Sequence, residues 1–178
     1  VDNLTNYQTI KQKALNLGIY GADLSFSSIF EQTQPCRDFI KVSQRLAEDL
    51  GIANAFNSNL VQRFESNVGN RDSAMHLINE AFWNANSNLK ESNNGNVSAL
   101  IMAGGFVEGL YIATHIIDTE APKEALVDRI AEQKFLLESL IGLVSLEESD
   151  GLVDDVKADL QSLKTVFDKI ERVPVERA

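Results

Sequence analysis

At 178 residues the chain is the length of one domain, enough to bury about 70% of the surface that its unfolded form exposes. Lys and Arg number 16 and Asp and Glu 26, for a net charge of −10, and the basic residues are scattered singly. This excludes the basic footprint that nucleic acid or an anionic lipid surface requires, and the lone Cys36 excludes an internal disulfide or a cysteine-rich metal site.

In chain order, Tyr7, Ile10, Ala14, Leu17, Gly21 and Leu24 recur at three and four residues, the helical period, and apolar character spreads round the helix from Ala14 to Phe30. This first helix ends before Pro35, which then suits the first turn of a second, with Phe39, Ile40, Leu46 and Leu50 buried and Gly51 as its stop. A third helix is expected from about Ala53 to Val68, carried by Phe56, Leu60, Val61 and Phe64. Asp72 or Asn70 can cap a fourth, whose inner stripe is Met75, Ile78, Phe82, Ala85 and Leu89. The asparagine-rich run at 92–96 is the clearest loop in the chain.

Asn96 can cap the fifth helix, which runs to about Thr119 and is the one around which the others are expected to pack. From Ala99 to Ile117 it is apolar on nearly every side and holds one ionised residue, Glu108. Its length approaches that of a membrane span, but a central acid and flanks without Lys or Arg argue for a buried core helix, so no transmembrane helix is expected. Pro122 opens a sixth helix, with Leu126, Ile130, Leu137, Leu140, Ile141 and Val144 inward, and the acidic run at 147–151 closes it. The last helix buries Val153, Val156, Leu160, Leu163, Phe167 and Ile170 and stops before Pro174. No stretch alternates as a strand does. The expected class is all-α: residues 1–178 as one bundle of about seven helices, the first and fifth central, apolar and glycine-bearing.

Gly18, Ala22, Gly105 and Gly109 are small residues at helical spacing, which lets the two central backbones approach closely. A shift that lays Gly18 on Gly105 also lays Ile29 on Ile116 and Pro35 on Pro122, a weak sign of internal duplication between 7–90 and 96–173. The two segments Lys13–Leu24 (KALNLGIYGADL) and Gly104–Ile116 (GGFVEGLYIATHI) resemble a family of uncharacterised helical, lipoprotein-like proteins of Bacteroidetes. The resemblance implies export to the periplasm or outer membrane, with a signal peptide and a lipid-anchored cysteine upstream of Val1. Cys36 lacks a lipobox and is not that cysteine. The family brings no activity.

Catalytic signatures are missing. The residues three before His76 and His115 are Ser73 and Ile112, so neither histidine belongs to the Glu-x-x-His pair of a carboxylate di-iron bundle. The zinc-protease motif and phosphate-binding glycine loops are absent too. Neither a Cys36 nucleophile nor a bis-histidine haem site has further support. No metal or cofactor is expected. What remains is a candidate pocket. Glu108, Tyr111 and His115 share one face of the fifth helix, and Asp23 with Tyr20 is the corresponding polar group of the first. Each acid is isolated in an apolar run, so both are expected in one interior region, with Tyr20, Tyr111 or His115 bonded to at least one of them. The functional expectation is a non-enzymatic helical interaction or ligand-binding module of the bacterial cell envelope, with an unknown protein or small-molecule partner. The alternative is an enzyme whose central pocket uses Asp23, Glu108 and His115.

Overall fold

The computed structural model describes residues 7–117, 124–146 and 151–170. Among them are seven α-helices and no strand: α1 (Ile10–Ile29), α2 (Thr33–Asp49), α3 (Ser58–Asn67), α4 (Arg71–Glu91), α5 (Gly95–His115), α6 (Glu124–Leu146) and α7 (Asp154–Phe167). The protein is an all-α single-domain bundle, as expected from the helical period. The expected starts and stops at Thr119, Pro122, 147–150 and Pro174 lie outside the described residues.

Local chemistry sets most helix ends. Thr9 and Gln12 form a reciprocal capping box on α1, each side chain bonded to the other's backbone N–H at 3.1 Å. Asn70, not Asp72, caps α4 by accepting from Ser73 N at 3.0 Å. Pro35 falls inside the first turn of α2, where a missing N–H costs no intrahelical bond. Gly51 ends that helix region at φ 75°, a backbone that glycine adopts without strain.

Two expected boundaries are corrected. The helix expected over 53–68 is a 3-10 turn, Ala53–Phe56, followed by α3. Asn57 breaks it: its backbone is extended, and its side chain caps α3 by accepting from Leu60 N at 3.0 Å, a bond unavailable to it inside a continuous helix. α5 starts at Gly95 instead of after Asn96. Asn93 adopts φ 55°, reversing the chain in one residue, and the Asn94 carbonyl already accepts from Val97 N and Ser98 N at 3.1 and 3.3 Å.

The core runs from Leu17 and Leu24 of α1 through Ile40 and Leu46 of α2, Phe56, Phe64 of α3 and Leu89 of α4 to Leu100 of α5 and Leu137 of α6, all fully buried. α1 packs against α2, α4 and α5, and α5 also carries α6. α7 lies on α6, where Lys134–Asp168 and Lys164–Glu138 ion pairs at 2.8 and 3.4 Å bridge the two. On α4 the buried set is Ala74, Leu77, Ile78, Ala81, Ala85 and Leu89, with Met75 and Phe82 half-buried at its edge. Ile170, expected in the last helical stripe, is exposed because α7 ends at Phe167.

The central position expected of the fifth helix holds for half of it. Val97 to Ile101, Ala103 and Gly104 are buried, whereas Val107, Gly109, Tyr111 and Ile116 are exposed. α5 is 21 residues long and the one described helix long and apolar enough to cross a membrane by length and composition. Its first half is instead filled into the protein's core.

Candidate functional site

Three glycines bring α1 and α5 together backbone to backbone. A Cβ on Gly18 would overlap the carbonyl oxygen of Ile101 and stand 2.6 Å from Gly105 N. One on Gly104 would overlap the carbonyl of Leu15, and one on Gly105 would be 3.3 Å from Gly18 O. Gly21, on the next turn of α1, receives the ring of Phe82 from α4, and that ring meets Phe56 edge-on with centroids 5.4 Å apart. Gly109 does not share in this contact. It is exposed, and a Cβ there would meet nothing within 4 Å, because the close approach lies one turn earlier, at Gly104 and Gly105.

Beside this crossing the bundle leaves an open groove of about 570 Å³ between α1, α4 and α5. Its floor is Gly18, Gly21, Ala22, Ser25 and Gly105. Ile78, Phe82, Ala85, Ile101 and Met102 form its apolar walls, and Asn79, Trp83, Asn86 and Ser98 its polar and aromatic edge. Among the described residues no ionisable side chain lines it. Ser98, buried, donates to Asn86 Oδ1 at 2.6 Å, and Ser25 donates to the Gly21 carbonyl at 2.8 Å. The volume falls in the range of small-molecule sites, roughly 300–1,000 Å³.

The pocket expected from the sequence rests on five other residues. Tyr20, Asp23, Glu108, Tyr111 and His115 do not line the groove. Asp23 and Glu108 are half-buried on α1 and α5, near enough that the Asp23 charge acts on Glu108. Neither has a hydrogen bond to a described residue. Tyr20, half-buried, shares its hydroxyl with that of Tyr7 at 3.2 Å instead. Tyr111 is 56% exposed and stacks on His115, whose Nδ1 lies 2.8 Å from the Tyr111 carbonyl. The hydrogen bonds expected to the acids are therefore absent among the described residues. The physical reason is that α5 emerges from the core after Gly105, so Tyr111 and His115 reach water and need no buried partner.

Burial pushes the Asp23 carboxyl above its ordinary value. Burial pushes Glu108 up as well, helped by the Asp23 charge and opposed by His115. Burial, the Tyr7 hydrogen bond and the Tyr7 and Asp23 charges likewise raise Tyr20. A carboxyl raised in the folded state binds its proton more tightly there than in the unfolded chain. Its favourable contribution is full below the unfolded value and is lost as pH rises through the folded one. Glu108→Gln removes that loss. The expected result is a variant at least as stable as the parent at pH 7, with a gain of no more than about 0.5 kcal/mol because the site is partly solvated. Its stability should also fall less steeply than the parent's from about pH 4 upward, the ordinary carboxylate range. Chemical denaturation of both proteins at pH 4 and pH 7 measures this, and a Glu108→Gln variant less stable at pH 7 would reveal a hydrogen-bonded carboxylate.

Among the described residues no group of three or more His, Cys, Asp and Glu is placed to hold a metal ion. Cys36 is buried and 3.4 Å from Ser28 Oγ, a packing contact between α1 and α2. The residues that the apolar pattern passed over are Asn79, Trp83, Asn86 and Ser98. A signal for three of them was present: Asn79, Trp83 and Asn86 are spaced at i, i+4 and i+7, one helix face around the chain's only tryptophan.

Comparison of the chain with protein-family models, with curated proteins and with solved structures finds no match. Fold class and groove therefore stand on the chain's own geometry.

Proposed function

We propose that this chain is a non-enzymatic helical binding module of the bacterial cell envelope, and that the groove between α1, α4 and α5 is where it holds a small molecule. The observation that carries the binding reading is an open cleft of about 570 Å³ that, among the described residues, no ionisable side chain lines. Such a lining can bury and orient a ligand, but beside its Ser25 and Ser98 hydroxyls it offers no general base or charge to activate them. The envelope reading is supported by the resemblance of Lys13–Leu24 and Gly104–Ile116 to lipoprotein-like proteins. The alternative, an enzyme working with Asp23, Glu108 and His115, has less behind it, because the three stand outside the groove and no hydrogen bond links them.

Trp83 provides the test, since it is the only tryptophan and sits on the groove's edge. Titration with the neutral apolar probe N-phenyl-1-naphthylamine should change Trp83 fluorescence saturably. Ala22→Phe, which places a ring over the glycine floor, should weaken probe binding at least tenfold, and Ser25→Phe does the same from the next turn in case the first variant melts early. Probe binding unchanged in a folded plug variant, or none in the parent, removes the groove as the site. Fractionation of the native organism checks the location, and a cytoplasmic pool alone would remove the envelope assignment.

A further inference from the structure

Resting on the groove as the binding site, we infer that its ligand is a neutral saccharide, laid against Trp83 and held at its edges by the Asn79 and Asn86 carboxamides. The protein carries −10, yet among the described residues no charged side chain lines the groove, so an anionic ligand would be repelled at a distance and desolvated on arrival without a counter-charge. A cation would find no carboxylate in the lining. The ligand that fits is uncharged.

The edge then narrows the class. Trp83 leaves 72% of its surface in water, an unusual position for the largest apolar side chain in the sequence, and it gains by being covered. Asn79 and Asn86 stand four residues before it and three after, one turn away on either side. Their Cα atoms are about 10 Å apart along the helix axis, the span of two linked sugar rings. Asn86 lines the cleft and its carbonyl oxygen already accepts from Ser98, so what it has left to offer a ligand is chiefly its amide N–H groups, as donors. Asn79 offers both a donor and an acceptor. A pyranose ring has the matching form: an apolar C–H face whose polarised hydrogens meet the electron-rich face of an indole, and a rim of hydroxyls that both donate and accept. An acyl chain would cover Trp83 but leave the carboxamides without partners, which costs affinity once they are desolvated.

Isothermal titration of the protein against maltohexaose, cellohexaose, xylohexaose and chitohexaose tests this. At least one should bind saturably, with a dissociation constant between micromolar and about 1 mM. Trp83→Ala and Asn86→Ala should each weaken that binding tenfold or more, and Trp83→Phe should keep most of it. The Trp83 variants should melt as the parent does, because that side chain lies largely in water, whereas Asn86→Ala also takes the acceptor from the buried Ser98 hydroxyl and should melt somewhat earlier, so its binding is measured well below its own melt. An acidic sugar oligomer of equal length should bind at least tenfold more weakly than the neutral one. If no oligosaccharide in the panel binds while N-phenyl-1-naphthylamine does, the groove stands as a site and the saccharide class is overturned. If neither binds, the site itself is lost. Equal affinity for the acidic oligomer overturns the claim of neutrality.

Discussion

A single methyl group at Gly18 is expected to lower the stability of the fold by about 3 kcal/mol, the upper end of the usual range for overpacking. The added Cβ would stand on the Ile101 carbonyl oxygen and 2.6 Å from Gly105 N, and both are backbone atoms of a helix buried at that point. A flexible side chain could swing away, but here the whole of α5 must move. Moving it disturbs the packing of Leu100 and Ala103, both buried. For a chain of this length the loss corresponds to a fall in melting temperature of roughly 6–12 °C. Gly104→Ala should behave alike, since its Cβ would strike the Leu15 carbonyl. Gly109→Ala is the control on the same helix. It meets nothing within 4 Å and gains helix propensity, so it should leave stability unchanged or raise it by up to about 1 kcal/mol. Thermal melts of the three variants decide the matter, and a Gly18→Ala protein that melts with the parent would mean that α1 and α5 do not meet there.

The contrast between Gly18 and Gly109 also marks how far the sequence can be read. Helical period and caps are local, so Asn70, Pro35 and Gly51 announce element ends within a few residues of where they fall. Small residues at helical spacing announce that two backbones can touch, but the register of contact depends on how two helices slide past each other. That is why Gly105 makes the contact and Gly109, one turn on, does not. Apolar composition is silent on coverage in the same way. The run from Ala99 to Ile117 reads as uniformly buried, yet only the neighbours decide which half they cover, and Val107 and Tyr111 stay in water. Asp23 and Glu108 were legible as a pair of isolated acids on the two central helices. Their lack of hydrogen bonds to the described residues was not, because it follows from the exposure of Tyr111 and from the bond that Tyr20 makes with Tyr7. The groove needs three helices at once and has no signature within any one of them. Its strongest local trace is the asparagine–tryptophan–asparagine face of α4.

The groove wall supplies the second large effect, and it is one of coupling. Phe82→Ala is expected to cost about 3 kcal/mol, because the ring fills the space over Gly21 and packs edge-on against Phe56, which is fully buried. Gly21→Ala alone should cost about 1–2 kcal/mol, since its Cβ would run into the tip of the Phe82 ring, and the contact with Phe56 limits how far that ring can retreat. In the double variant the cause of the second penalty has been removed. The Cβ then enters space that the ring has vacated and recovers part of the lost packing. The summed single effects should therefore exceed the measured double effect by at least about 1 kcal/mol, the coupling expected of residues in direct contact. Denaturant titration of the parent, the two single variants and the double variant gives all four free energies. Strict additivity would mean that the Phe82 ring does not occupy the place above Gly21, and the groove would then lose the wall that separates it from the Phe56 side of the core.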